Sequence, residues 1–170
     1  MMIIRDRVSD DMAACVRLLA DVHAADGYPL RWPADPSRRL NPHNLLAAWV
    51  AEDEHAVIGH VALCSAVGEP SAPLWAAATG WPPEHIGVVA RLFVAPSARR
   101  RGVGAALLAQ VCDEAHSRGL QTALEVLDHD RSAIALYEGK GWRCIASVPN
   151  TRVPAGEEQA AMLRCYIAPT

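Results

Sequence analysis

Three consecutive arginines, Arg99 to Arg101, stand directly before Gly102-Val103-Gly104 and the helical pattern that follows. A helix start exposes unpaired N–H groups and a partial positive charge, so arginines are unfavourable there unless an anion binds. With an anion present, the guanidinium groups, the N–H groups and the helix dipole all attract the same charge. Glycines let a phosphate approach the backbone without a side chain in the way. The segment therefore predicts an anion site; the alternative is a solvated basic loop whose glycines only ease a turn.

Two common phosphate motifs do not fit this segment. A Walker loop requires Gly-Lys-Ser/Thr, but Gly104 is followed by two alanines. The dinucleotide fingerprint requires a third glycine where this chain has Leu107, and a partner carboxylate at a strand end about twenty residues later. Glu125 falls near that position but lies inside a predicted strand. These mismatches disfavour a nucleotide-binding oxidoreductase.

A different motif does fit. The segment RLFVAPSARRRGVGAALL, residues 91–108, matches R/Q-x-x-G-x-G/A and resembles the acetyl-coenzyme A pyrophosphate loop of the GNAT superfamily of N-acetyltransferases. The segment DRSAIALYEGKGW, residues 130–142, resembles that family's N-x-x-A-x-x-L-Y-E-x-x-G-F pattern, with Asp130 for asparagine and Trp142 for phenylalanine. The resemblance implies an acetyl-CoA-dependent enzyme that transfers an acetyl group directly to a primary amine of a small molecule, peptide or protein. The alternative is a non-catalytic acyl-CoA-binding or regulatory domain of the same fold.

The resemblance also implies where the cofactor binds. Acetyl-CoA would lie in a V-shaped gap between the strand that ends at Val94 and the strand Thr122–Leu127. Backbone groups of the first strand would pair with the pantetheine arm, and one N–H would polarise the thioester oxygen. The implied cofactor-binding residues are Leu92, Phe93, Val94, Arg99, Arg100, Arg101, Gly102, Val103, Gly104, Ala105, Asp130, Ser132, Ala133 and Tyr137.

Tyr137 occupies the family's general-acid position, near the sulfur of the departing coenzyme A; the alternative is a tyrosine packed against the core. Proton transfer from a phenol of pKa about 10 to a thiolate of about 8.5 is uphill by about 2 kcal/mol, so a hydrogen bond could be most of its role.

A general base is harder to assign. The attacking amine has to lose a proton, yet the strand IGVVARLFV contains no carboxylate. In LEVLDHDRSAIALYE, residues 124–138, Glu125 matches the base proposed for acetyltransferases of the ribosomal-alanine type. The alternative is an exposed strand carboxylate. Glu84 and His85 are weaker candidates, and His60 is expected to be a packed or surface histidine.

Hydrophobic periodicity predicts the elements that position these residues. We expect strands at residues 2–8, 122–127, 142–148 and 160–167, a hairpin of 49–51 with 56–66, and a strand that ends at Val94. We expect helices from a Ser9 N-cap to about His23, after Asn41-Pro42, from Val103 to about Gly119, and from Arg131 to about Gly139 with Asp130 as N-cap. The predicted fold is α/β (mixed α+β), a GNAT-like single domain over residues 1–170. Its central sheet is mixed and mostly antiparallel, with about seven strands, about four flanking helices and a V-shaped splay between the fourth and fifth strands.

Two Pro-rich stretches, residues 24–41 and 67–85, are predicted to be long loops. Their aromatic side chains suit recognition of a flat or apolar acceptor group, or else fix the loops to the body of the protein. The candidate substrate-binding residues are Tyr28, Trp32 and Trp81.

Composition narrows the partners. Of 170 residues, 51% are hydrophobic and 21% charged, and the net charge of -3 gives no general attraction to nucleic acid or an anionic membrane. The five cysteines form no C-x-x-C pair, and the histidines lack metal-ligand spacing, so we expect no metal, no disulfide framework and no acyl-cysteine. Neither a signal peptide nor an apolar run of about 18 residues is recognised, which indicates a cytoplasmic protein. Monomer and homodimer both stay open.

Overall fold

The computed structural model describes residues 1–150 and 162–170. Within them the strands are β1 (Met2–Asp6), β2 (Leu45–Asp53), β3 (Ala56–Ser65), β4 (Ile86–Val94), β5 (Gln121–Leu127), β6 (Arg143–Pro149) and β7 (Met162–Ile167). The helices are α1 (Met12–Asp26), α2 (Pro36–Leu40), α3 (Ala72–Thr79), α4 (Val103–Ser117) and α5 (Arg131–Gly139). Short 3₁₀ turns lie at Ser9–Asp11, Pro83–His85 and Pro96–Ala98.

The strands form one sheet in the order β1-β2-β3-β4-β5-β7-β6. The pairs β1–β2, β2–β3, β5–β7 and β6–β7 are antiparallel. The pair β4–β5 is parallel and matches Ile86, Gly87 and Val88 with Gln121, Thr122 and Ala123. The predicted mixed, mostly antiparallel seven-stranded sheet is confirmed, and the parallel pair is consistent with the predicted splay. Residues 160 and 161 of the expected last strand lie outside the described residues.

Two compact units make up the chain. The first contains Met1–Cys64 and Val89–Glu114, and its fully buried side chains include Leu19, Val61 and Leu107. The second contains Ser65–Val88 and Ala115–Thr170, and its fully buried side chains include Trp75 and Tyr166. One acetyltransferase domain over residues 1–170 stays a prediction.

The expected helix after Asn41-Pro42 is wrong. The helix α2 ends before that point, and the following residues form β2, which pairs with both β1 and β3. The helix starts earlier because the Asp35 carboxylate accepts a hydrogen bond from the Arg38 N–H at 3.1 Å, with proline in the first turn. Pairing on both edges stabilises the start of this strand, whose leucines and alanines have no strong strand preference of their own.

Ser9 is not the N-cap of α1. It begins a 3₁₀ turn, and the helix proper starts at Met12. The Asp11 carboxylate instead accepts the Val8 N–H at 2.7 Å and two hydrogen bonds from Arg5 at 2.8 Å. The helix also runs past His23, to Asp26, because it ends where Gly27 takes a left-handed conformation with φ of 73°.

The stretch 67–85 is not entirely a loop, since it contains α3. Proline lies in the first turn of this helix, and Gly80 ends it with φ of 76°. Proline and glycine therefore mark the boundaries of a helix here, where the sequence suggested a continuous irregular segment. Trp75 on α3 is fully buried, so it belongs to the core of its unit. The predicted starts of α4 and α5, and their predicted ends near Gly119 and Gly139, are confirmed.

Candidate active site

The loop between β4 and α4 is open and rich in unusual backbone conformations. After the 3₁₀ turn at Pro96–Ala98, Arg100 has φ of 63° and Gly102 has φ of 78°. A Cβ added at Gly102 would meet no atom within 4 Å. The 15-residue α4 begins at the next residue, and the first N–H groups of any helix lack intrahelical partners. The loop therefore offers backbone donors, a helix N-terminus and space, which is a donor set that suits a phosphate.

Two of the loop arginines have carboxylate partners. Arg99 donates to Asp26 at the end of α1, and Arg101 donates to Asp53 at the end of β2. Asp53 also lies 3.1 Å from the N-terminal ammonium group, and the Arg101 hydrogen bond lowers the pKa of Asp53 below its ordinary value. The loop thus carries less unbalanced positive charge than the run of three arginines indicates. Sequence reasoning missed both partners because they lie 73 and 48 residues away along the chain.

The close approach of α4 to β3 fixes the position of this loop. Val103 and Leu107, on the first turns of α4, are buried. They pack on Gly59 of β3: a Cβ there would lie 2.8 Å from Leu107 Cδ1 and 3.0 Å from Val103 Cγ1. The helix could not approach the strand this closely if residue 59 had a side chain.

A left-handed residue interrupts β4 just before its predicted cofactor-binding segment. Arg91 has φ of 54°. Its carbonyl oxygen lies 2.8 Å from Nδ1 of His60, which is fully buried on β3. The His60 ring also stacks on Phe93, with 5.0 Å between centroids and 14° between planes. His60 is therefore a packed histidine and not a surface histidine. It contacts β4, the strand that is predicted to bind the pantetheine arm.

Burial controls the protonation of this histidine. Loss of solvation disfavours the charged imidazolium and lowers the pKa of His60 from its ordinary 6.5 to about 4. The nearby Arg7 and Arg91 guanidinium groups lower it further, whereas the hydrogen bond to the Arg91 carbonyl opposes the change. A buried, neutral histidine of this kind is a poor general base for an amine.

Two of the candidate substrate residues lie in the first unit. The Tyr28 ring is half-buried, 6.3 Å from the Phe93 ring, and the Arg39 guanidinium lies 5.8 Å above it. Trp32 is 41% exposed and lies 5.5 Å from the His23 ring. The structure therefore brings Tyr28 beside β4 and leaves Trp32 on the surface near the end of α1.

The third candidate substrate residue lies in the second unit. Trp81 is 43% exposed and contacts His85 edge-on, with 5.8 Å between ring centroids. Glu84 and His85 belong to the exposed 3₁₀ turn that leads into β4.

Tyr137 lies on α5 in the second unit and is only 6% exposed. Its ring is 6.0 Å from the Trp142 ring and 6.3 Å from the Tyr166 ring. The helix is fixed to β7 because the Tyr166 hydroxyl donates to the neighbouring Glu138 at 2.6 Å. Burial and this carboxylate raise the pKa of Tyr166. Sequence reasoning did not single out this support for Tyr137, since its partners are 28 residues apart.

The start of α5 is confirmed as predicted. The Asp130 carboxylate accepts a hydrogen bond from the Ala133 N–H at 3.2 Å, and Ser132 lies within the same turn. These three residues therefore form the cap and first turn of the helix that carries Tyr137. Their contact with a cofactor stays a prediction.

Glu125 and Tyr137 lie on opposite faces of the sheet in this unit. On β5, Glu125 pairs with Cys165 and Leu124 pairs with Tyr166, and cross-strand partners share a face. Since the Tyr137 ring packs against Tyr166, α5 covers the Leu124 face, and half-buried Glu125 points to the other side.

The described residues contain neither a cluster suited to a metal ion nor a membrane-spanning helix. Within residues 1–150 and 162–170, no three His, Cys, Asp or Glu side chains are grouped so that they could hold a metal ion. None of the helices in the described part of the chain is both long and apolar enough to cross a membrane.

A protein family model and several solved structures are similar to this chain. A family model described as "Acetyltransferase (GNAT) family" matches residues 18–142, whereas a comparison with curated protein sequences gives no match. Ribosomal-protein-alanine N-acetyltransferase from Brucella melitensis is similar in structure, with a TM-score of 0.73, 20% identity and 99% of each chain covered. Ribosomal-protein-S18-alanine N-acetyltransferase from Escherichia coli has a TM-score of 0.72 and 19% identity, over 99% of this chain and 94% of that one.

NAA60 from Arabidopsis thaliana in complex with acetyl-CoA is also similar, with a TM-score of 0.71 and 20% identity, over 98% of this chain and 97% of that one. Identities this low show a shared fold. The family model carries more weight, because it spans most of the chain and includes both segments that resemble the family, residues 91–108 and 130–142. The chain therefore belongs to the GNAT family of acetyltransferases, as an acetyl-CoA-dependent N-acetyltransferase.

Proposed function

We propose that this acetyltransferase acetylates a free α-amino group, that of a peptide or of a small molecule, and that the loop before α4 holds the donor. The open N-terminus of α4, entered through left-handed residues and flanked by arginines, carries this proposal. Its backbone donors, the helix N-terminus and the open space at Gly102 suit a phosphate group, so the residues present fit acetyl-CoA. When bound, acetyl-CoA supplies an activated thioester as the acyl donor.

The loop residues bind the donor through their backbones. The N–H groups from Arg100 to Ala105 would hold the pyrophosphate, and the backbone of Leu92 to Val94 would hold the pantetheine arm. Arg99 and Arg101 would exchange Asp26 and Asp53 for phosphate oxygens. Both ion pairs are exposed and screened by solvent, so a more highly charged anion can replace the carboxylates.

Tyr137 would donate a hydrogen bond to the departing thiolate. Its ring is buried and packs near the rings of Trp142 and Tyr166, which restricts the direction of the hydroxyl, as a positioned donor requires. The capped start of α5 adds to this, because Asp130 defines the first turn of the helix that carries the tyrosine.

Glu125 would act on the amine. The amine nitrogen and the departing sulfur bond to the same carbon, whereas Glu125 lies on the opposite face of β5 from Tyr137, so Glu125 would act on the amine through a chain of water molecules. Deprotonation of a lysine-like amine at pH 7 costs about 4.6 kcal/mol, but that of an α-amino group only about 1 kcal/mol. The strand β4 has no carboxylate to help, so we favour an α-amine.

The aromatic residues favour a flat or apolar group next to that amine. Tyr28 lies beside Phe93 of β4, so it is the best placed of the three candidates, while exposed Trp32 and Trp81 offer further apolar surface. We infer a cytoplasmic enzyme, active as a monomer or homodimer, with no nucleic-acid partner given its net charge of -3.

A product assay tests the proposed function. Acetyl-CoA would be incubated with peptides that start with different residues, with the same peptides blocked at the α-amine but carrying a lysine, and with small amines. Mass spectrometry would identify the product. We expect acetylation of the free α-amine and much slower reaction of the blocked peptides. Tight coenzyme A binding without turnover of any amine would instead support a non-catalytic acyl-CoA-binding domain.

A further inference from the structure

His60 makes hydrogen bonds with both ring nitrogens although it is fully buried. Its Nε2 lies 2.9 Å from Nη1 of Arg7, and its Nδ1 lies 2.8 Å from the carbonyl oxygen of Arg91. A guanidinium can only donate, so Nε2 has to be the acceptor. The ring proton is therefore on Nδ1 and is donated to the Arg91 carbonyl. The low pKa of His60, about 4, agrees with this neutral tautomer.

The carbonyl that His60 holds belongs to the left-handed residue of β4. Non-glycine residues rarely adopt φ of 54°, and they do so only where the surroundings hold them there. Three contacts do this: the His60 hydrogen bond, a 3.0 Å hydrogen bond from Arg91 Nε to the Arg39 carbonyl, and the stack of His60 on Phe93. Two of the three involve His60.

This conformation sets the direction of the backbone that follows. A left-handed residue turns an extended strand, so the N–H groups of Leu92 to Val94 point differently from those of a regular strand. Directly after this segment, the Ala95 N–H donates to the Ile58 carbonyl of β3 at 2.8 Å. The left-handed residue therefore lies directly before the segment assigned to the thioester and the pantetheine arm.

We propose that His60 is a positioning residue that holds the Arg91 carbonyl, and thereby orients the Leu92–Val94 N–H groups toward the position of the acetyl thioester. This role rests on the proposed binding of the donor along β4. In this role His60, which is buried on β3, affects the reaction through the backbone of β4 and contacts neither substrate.

Two amide substitutions separate the two hydrogen bonds of His60. In His60→Asn the side-chain amide nitrogen takes the place of Nδ1 and can donate to the Arg91 carbonyl, but Arg7 loses its hydrogen bond to residue 60 and keeps those to the Leu40 carbonyl and Asn41. In His60→Gln the amide reaches the place of Nε2 and can pair with Arg7, but the Arg91 carbonyl loses its donor. Each variant removes one buried hydrogen bond, so each controls for the loss of stability in the other.

We expect His60→Gln to lower kcat by on the order of 10- to 100-fold, because misplaced N–H groups no longer fit the thioester oxygen. Its KM for acetyl-CoA should change less, since the pyrophosphate loop is separate from this bond. His60→Asn should retain most of the wild-type kcat. Equal kcat values for the two variants, at a temperature where both are folded, would overturn the proposal.

Measurements on the ligand-free protein keep this test independent of the acetylation assay. Imidazole nitrogen chemical shifts should show the Nδ1–H tautomer, and the backbone amide signals of residues 91–94 should move in His60→Gln but stay close to the wild-type positions in His60→Asn. The Nε2–H tautomer, or unmoved amide signals in His60→Gln, would overturn the role of His60 even if every amine is acetylated. If no amine is acetylated but these signals behave as expected, the proposed function fails while the coupling between His60 and β4 stands.

Discussion

At Gly59 the strand β3 and the helix α4 lie so close together that a side chain does not fit, so Gly59→Ala is a direct test of how the loop before α4 is held. Carbon atoms in ordinary contact are about 3.5–4.0 Å apart. The added Cβ would lie 2.8 Å from Leu107 and 3.0 Å from Val103, both of them buried. The helix α4 or these side chains would therefore have to move by about 0.5–1 Å.

Two opposing effects determine the size of the change. Replacing glycine by alanine in a strand interior is favourable by about 0.5–1 kcal/mol, because the unfolded chain loses freedom. Insertion of a methyl group into a filled core costs about 1–3 kcal/mol. We expect the second effect to exceed the first, with a net loss of about 1–2 kcal/mol in the free energy of unfolding, and with weaker coenzyme A binding because the start of α4 is displaced.

Urea unfolding and a double-mutant cycle measure this effect. Leu107→Ala alone leaves a cavity and should cost about 2–5 kcal/mol. Together with Gly59→Ala it should cost less than the sum of the two single changes, by about 1 kcal/mol, since the new methyl group then occupies part of the cavity. Gly139→Ala is the matched control: it lies in α5 with open space around it, so it should not reduce stability. A Gly59→Ala variant as stable as the wild type, or strictly additive costs, would refute this account of the packing.

Three other outcomes are expected. In the unfolded chain His60 binds a proton below about pH 6.5, whereas in the folded protein it stays neutral down to about pH 4. Acidification through this range should therefore lower the free energy of unfolding by up to about 3 kcal/mol. Urea unfolding at pH 7 and pH 4.5 should show a smaller loss for His60→Asn, and identical losses would contradict the assigned pKa. Tyr137→Phe should lower kcat by on the order of 10²- to 10⁴-fold with acetyl-CoA affinity nearly unchanged, as measured by steady-state kinetics and calorimetry; an unchanged kcat would exclude it as the acid. Gly104→Val should weaken coenzyme A binding at least about tenfold by steric exclusion from the helix start, and unchanged affinity in calorimetry would refute the placement of the pyrophosphate.

The elements whose boundaries depend on nearby residues were predictable. The helix α5 starts where Asp130 can cap it, and α4 ends where Gly119 can adopt a left-handed conformation. The hairpin of β2 and β3 also follows from local alternation, although β2 begins earlier than expected. In each case a side chain or a glycine only a few residues away satisfies the backbone, so the signal is contained in a short segment.

The mistakes occurred where local signals were ambiguous. The Ala-rich residues at the start of β2 have no strong strand preference, and only pairing with β1 and β3 decides their conformation. In the stretch that contains α3, proline and glycine mark a helix as readily as a loop. The decisive observation is that Trp75 is fully buried, which depends on the rest of the fold.

The donor, acetyl-CoA, could be recognised from the amino-acid sequence through its resemblance to the GNAT family. Two motifs were sufficient to indicate acetyl-CoA: the basic glycine loop at the start of α4, and the tyrosine on α5, the helix that follows after one strand. Each motif lies within a short continuous segment. The contacts that hold the loop before α4 and the end of β4 became visible only in the folded chain. It pairs Arg99 with Asp26, seats α4 on Gly59, and fixes the Arg91 carbonyl with His60. Hydrogen bonds and packing contacts act through space over a few ångströms, so they join residues that are distant in the sequence. The two hydrogen-bonded pairs are 31 and 73 positions apart.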